Sequence, residues 1–106
     1  MPKYLVRANY VGDGVKGLMA EGGTARMEAA RASVESVGGT LEYFYYAFGE
    51  VDVYGIGEFP DDATATAWSL TINASDAVMV SIVPLMEPAV VDAAAQKTPD
   101  YRAPGS

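Results

Sequence analysis

An α+β fold, built as one four-stranded antiparallel sheet with two helices on one face, is predicted by three features of this sequence. Four stretches rich in β-branched and aromatic residues alternate with stretches of helical spacing, in the order strand, helix, strand, strand, helix, strand. Glycine-rich breaks fall between these stretches, where turns are needed. Half of the 106 residues are apolar, which suffices for one core and is too little for two ordinary domains.

Lys3 to Tyr10 reads as the first strand, closed by a turn at Gly12-Asp13-Gly14. A short helical stretch from Val15 to Ala20 breaks at Glu21-Gly22-Gly23. From Thr24 to Val37, the apolar residues Met27, Ala30, Val34 and Val37 recur every three or four positions, as on one buried helix face, with Thr24 as N-cap and Gly38-Gly39 as the stop. Thr40 to Phe48 carries the aromatic content of a second strand. Gly49-Glu50 predicts a two-residue type II′ turn into a third strand, Val51 to Phe59. Pro60-Asp61-Asp62 opens a helix to Ala74, with acidic residues that complement the helix dipole. Ala77 to Met86 is the fourth strand, Glu87 to Lys97 a short terminal helix, and Thr98 to Ser106 an extended tail. The expected division is a single domain over residues 1–97 and a tail over 98–106.

This order is the ferredoxin-like β-α-β-β-α-β pattern. The second strand places Phe44, Tyr46 and Phe48 on one side and Leu41, Tyr43, Tyr45 and Ala47 on the other, so both sheet faces are apolar. The helices cover one face. The other calls for a second copy of the chain, which predicts a homodimer or larger homo-oligomer.

Composition narrows the chemistry. Seven basic against fourteen acidic residues leave a net charge of -7, which disfavours nucleic acid and anionic membranes as partners. The chain has no cysteine and no histidine, which removes thiolate nucleophiles, imidazole bases and the usual zinc sites. No metal and no cofactor is expected. Arg7 interrupts the first apolar stretch before a signal-peptide core could form, and no apolar run reaches a membrane-spanning length, so the expected location is cytoplasmic.

Several ordered blocks carry a resemblance: Val15-Lys16-Gly17-Leu18, Glu21-Gly22-Gly23, Arg26, Glu35-Ser36-Val37-Gly38-Gly39, Leu41-Glu42-Tyr43-Phe44-Tyr45, Phe48-Gly49-Glu50-Val51-Asp52-Val53 and Phe59-Pro60-Asp61-Asp62. In this succession the chain resembles the GYD-domain family. The resemblance implies a dimeric α+β barrel, as in stress-responsive barrel proteins and small cofactor-independent monooxygenases, and implies no particular reaction. Of the family's Gly, Tyr and Asp signature, Gly49 and Asp52 match, while Val51 stands at the tyrosine position. Any hydroxyl that this tyrosine supplies in other members is missing here.

Asp52 is the charged residue with the clearest functional reading, as a general base or ligand anchor. The alternative is an ion pair with Arg7 or a bond to turn amides. Arg7 and Asn9 share one side of the first strand and, with Glu42 and Asp52, form a candidate polar patch. Tyr43, Tyr45, Tyr46 and Tyr54, with Trp68 on the second long helix, are candidates to line a pocket for a flat apolar molecule; core or interface packing is the alternative. The alanine-rich helix around Trp68 favours space beside the sheet. Glu21-Gly22-Gly23-Thr24 precedes a helix N-terminus near Lys16 and Arg26, a weak anion-site pattern that reads more simply as a helix break.

Two functions fit these residues. One is an oligomeric module that binds a small hydrophobic or aromatic molecule, or has a structural role. The other is a cofactor-independent enzyme, monooxygenase- or isomerase-like, with Asp52 as base and Arg7 stabilising developing negative charge on a small aromatic or activated substrate.

Overall fold

The computed structural model describes residues 1–106. Its elements are β1 (Lys3–Tyr10), α1 (Gly14–Glu21), α2 (Gly23–Glu35), β2 (Thr40–Tyr46), β3 (Val53–Glu58), α3 (Asp62–Ala74), β4 (Val78–Leu85) and α4 (Pro88–Ala95). The strands form one antiparallel sheet in the order β2-β3-β1-β4, with β1 paired to β3 and β4. Together with helices packed on one face, this is the ferredoxin-like arrangement expected from the element order.

The alternation in β1 determines which face the helices take. Tyr4, Val6 and Ala8 are buried beneath α2 and α3, in a core completed by Val34, Val53, Phe59, Ala65, Trp68 and Val80. Phe59 packs between Tyr4 and Trp68, with ring centroids 5.7 and 5.4 Å away. The Tyr4 hydroxyl donates to Asp62 at the start of α3, so its polar end is satisfied. The opposite side of β1 carries Lys3, Leu5, Arg7 and Asn9, and no helix covers it. Cross-strand pairing places Tyr54 and Ser81 opposite Arg7, and Ile56 and Val83 opposite Leu5.

Several local expectations are corrected. Glu42 forms a β-bulge between Leu41 and Tyr43. The extra residue returns Leu41 to the helix side, where it packs on the core with Phe44 and Tyr46. The hairpin connection is not a two-residue turn: β2 ends at Tyr46 and β3 begins at Val53. In the loop between them Phe48, not Gly49, takes the positive φ, at 52°, and its ring stacks on Tyr46 at 5.5 Å. Asp52 therefore lies in this loop, just before the third strand.

Gly22, rather than Thr24, precedes α2 and offers no side-chain cap. Its φ of 90° suits glycine and lets α1 run almost directly into α2. At α3, by contrast, Asp61 is a true N-cap: its carboxylate accepts the Thr64 amide at 2.8 Å, which lowers the Asp61 pKa. The terminal helix spans Pro88–Ala95 and buries no residue.

Candidate functional site

Beneath the helices, side-chain size falls away at one place. On α2, Arg26, Ala30 and Ser33 occupy one face at spacings of four and three. On α3, Trp68, Thr71 and Ile72 do the same, with Ser75 at its C-cap. Alanine and serine cannot fill the distance between the helices and the sheet, so a cavity of about 400 Å³ remains. Its floor is the helix side of the sheet, including Val6, Ala8, Phe44 and Val80. Most lining residues are apolar, and the polar ones are Arg26, Tyr10, Ser33, Thr71 and Ser75.

Trp68 forms part of the wall in a fixed position. Its indole N–H donates to Ser33 Oγ at 2.9 Å, and that hydroxyl donates to the Ala30 carbonyl at 2.7 Å. Tyr10 continues the Tyr4, Val6, Ala8 alternation and reaches the end of the cavity. There a second, more polar hollow of about 420 Å³ shares Tyr10, Arg26, Ser75, Ala77 and Val78 with it. Asp13, Glu21 and Asp76 belong to the outer hollow. Arg26 sits between the two, with Glu21 at 3.6 Å as its ion-pair partner. Tyr46 lies alongside, donating to the Gly23 carbonyl at 2.9 Å. Burial, and then a hydrogen bond with Tyr10, pushes the Tyr46 phenol pKa well above the usual value, so the Tyr46 phenol is protonated at neutral pH.

The residues singled out from sequence do not form one site. Of the aromatic group, Trp68 lines the cavity and Tyr46 supports its end. Tyr43, Tyr45 and Tyr54 lie on the opposite, uncovered face of the sheet and are exposed. A sheet side chain points to one face only, so these tyrosines cannot share a pocket with Trp68 within one chain.

The polar patch also separates. Glu42 pairs with Lys3 at 2.7 Å, and Glu58 pairs with the same ammonium at 3.0 Å. These partners raise the Lys3 pKa and lower that of Glu58. This cluster is at the beginning of β1, while Asn9 and Asp52 meet at its far end. There the Asp52 N–H donates to Asn9 Oδ1 at 2.9 Å, and Asp52 Oδ2 accepts the Tyr10 N–H at 3.0 Å. The Asp52 carbonyl also accepts the Ala47 N–H at 2.8 Å, so this residue and Asn9 close the β2–β3 loop onto β1. No ion pair joins Asp52 to Arg7.

Arg7 instead borders a shallow hollow of about 220 Å³ on the uncovered face with Asn9, Met79, Ser81 and Val51. Val51, at the position of the signature tyrosine, is buried. No three acidic side chains gather closely enough to hold a metal ion, and no helix is long and apolar enough to cross a membrane.

Sequence reasoning passed over Tyr10, Ala30, Ser33 and Phe44 as site residues and read Arg26 only as a neighbour of a helix terminus. Two signals could have found them: period two along β1 from Tyr4 to Tyr10, and the spacing of Arg26, Ala30 and Ser33 on α2.

No curated protein and no solved structure matches this chain. The family model of the GYD domain matches residues 4–95, which spans the sheet from the second residue of β1 onward and all four helices. The chain therefore belongs to the GYD domain family.

Proposed function

We propose that this protein is a cytoplasmic, homo-oligomeric module that binds a flat, mainly apolar small molecule between the helices and the sheet. The observation that carries this reading is the cavity of about 400 Å³ walled by Trp68 and Phe44, with Tyr10 and Arg26 at its polar end. Its size and its mix of apolar walls with a few polar groups suit a small ring compound. Arg26 and Tyr10 would orient a carbonyl, phenol or similar oxygen by hydrogen bonding. The lining supplies a guanidinium, a phenol and hydroxyls but no carboxylate, which favours binding over base-catalysed turnover.

Self-association rests on the uncovered sheet face. Tyr43, Tyr45, Tyr54, Met79, Val83 and Leu85 are all exposed there around Arg7 and Ser81, and exposed apolar side chains in this number on one face favour an interface. A chain without cysteine needs no oxidising compartment, which is compatible with the cytoplasmic part of this reading.

The single tryptophan offers a direct test, since an occupant of the cavity must touch it. Titration with 4-nitrophenol, which quenches indole emission, is expected to give saturable quenching in the natural protein. It should give only weak, linear quenching in Ala30→Phe, where the new ring fills the cavity. Equal and non-saturable quenching in both would overturn the binding site.

A further inference from the structure

From Met86 onward the chain leaves the body of the molecule. The radius of gyration is 17.1 Å, against about 13 Å for a compact chain of this length. The longest extent is 56 Å, with 34 and 22 Å across. Within this arm α4 is rich in alanine and valine, yet none of its residues is buried. A helix this short is not stable alone in water and depends on packing of its apolar side. Its own chain offers only a hollow between Val90 and Met1, Pro2, Leu85 and Met86.

We infer that α4 packs on a second copy of this chain, at the rim of the uncovered sheet face, with the two arms exchanged symmetrically. This rests on the self-association proposed above, and two observations select a second copy as the occupant. First, the arm continues the proposed interface. Val83 and Leu85 lie on the uncovered side of β4, and only Met86 and Glu87 separate that strand from α4. Second, the sheet face is small. Four strands of six to eight residues cover roughly 500 Å² at the usual strand spacing and rise. A stable interface buries roughly 800 Å² of accessible surface from each partner, and packing of the arm adds to what this small footprint can provide. A two-fold pairing would then place an arm at both ends, and each contact the arm makes would occur twice.

The test combines sedimentation velocity with amide hydrogen exchange, on the full chain and on Val90→Asp/Val91→Asp. Expected for the natural chain is a dimer or larger assembly in which the Val90–Ala95 amides are protected, with that protection lost on dilution to monomer. The double variant should associate at least about ten-fold more weakly, because it places two charges where apolar contact is needed. Trp68 emission should remain unchanged, showing that the core is folded. Association of the natural chain with freely exchanging α4 amides, or undiminished association of the variant, would overturn the exchanged arm and leave self-association standing. Protection that persists unchanged in the monomer would place α4 on its own chain and overturn the exchange. A natural chain that is monomeric at every concentration would overturn both readings.

Discussion

The two sides of the sheet are made by the same strands and differ in what completes them. On one side Tyr4, Val6 and Ala8 meet α2 and α3 and are buried within a single chain. On the other, Leu5 and Arg7 alternate with them, and the neighbouring Tyr54, Met79 and Val83 remain exposed. Hydropathy separates the sides on β1, where Lys3, Arg7 and Asn9 mark the open face, but not on β2 and β3, which place Tyr43, Tyr45, Tyr54 and Ile56 there. What separates them is the reach of the helices: connections of right-handed sense bring α2 and α3 to one face and leave the other for a different surface. Stability of the single chain therefore resides on the helix side, and the self-association proposed above would use the open side.

The largest expected effect probes that division directly. Phe59→Ala, on the helix side, should lower unfolding stability by about 3–5 kcal/mol in urea titration, because Phe59 is fully buried between Tyr4 and Trp68. Tyr54→Ala on the open side should lower the stability of the monomer by no more than about 1 kcal/mol. Similar losses for both would mean that the two sides are not energetically distinct.

The converse experiment introduces charge on the open side. Tyr45→Lys with Tyr54→Lys should weaken self-association about a hundred-fold or more by sedimentation, with the circular dichroism of the monomer unchanged. Unfolding of the monomer would show that this face contributes to the fold itself.

Within the helix side, Ser33→Ala removes the acceptor of the Trp68 indole N–H. The expected loss is about 1–3 kcal/mol, with Trp68 emission altered because the ring is no longer tethered. Unchanged stability and emission would show that packing alone fixes the cavity wall.

The pH dependence offers a gentler probe of the same side. The hydrogen bond to Asp62, together with burial, raises the Tyr4 pKa to about 12. The folded state retains this proton where the unfolded chain has lost it, so the contribution is complete below the ordinary tyrosine value of about 10 and declines as pH rises toward 12. Thermal melts across that range should show a steeper loss in the natural chain than in Tyr4→Phe. The smallest effect is expected at Phe48→Gly. Relief of the positive φ and loss of the stack on Tyr46 nearly cancel, leaving a change within about 1 kcal/mol.

Much of the fold was legible because it depends on local periodicity. The residues of β1 alternate as a strand must, and Met27, Ala30 and Val34 recur as on one helix face. The acidic start of α3 marks its N-cap. The hairpin was misread because Gly49 invited a tight turn, whereas Asp52 and Asn9 hold a longer loop through paired hydrogen bonds between distant positions. The side taken by Leu41 was misread because a bulge at Glu42 depends on cross-strand register, which the hydrophobic pattern of β2 does not encode. The candidate site was legible only in part. Trp68 beside an alanine-rich helix pointed to open space, but the tyrosines were grouped by composition when sheet geometry assigns them to opposite faces.

The sequence by itself determined the element order, the family and the chemistry open to a chain without cysteine or histidine. These follow from residue identity and from repeats shorter than a single helix or strand. Only the tertiary structure decided that Tyr10, Arg26, Ala30, Ser33, Phe44 and Trp68 border one cavity, that Asp52 closes a loop onto β1, and that α4 stands clear of the body. Each of these depends on the packing of segments distant in the chain, where side-chain volume and strand register, rather than local pattern, determine what meets.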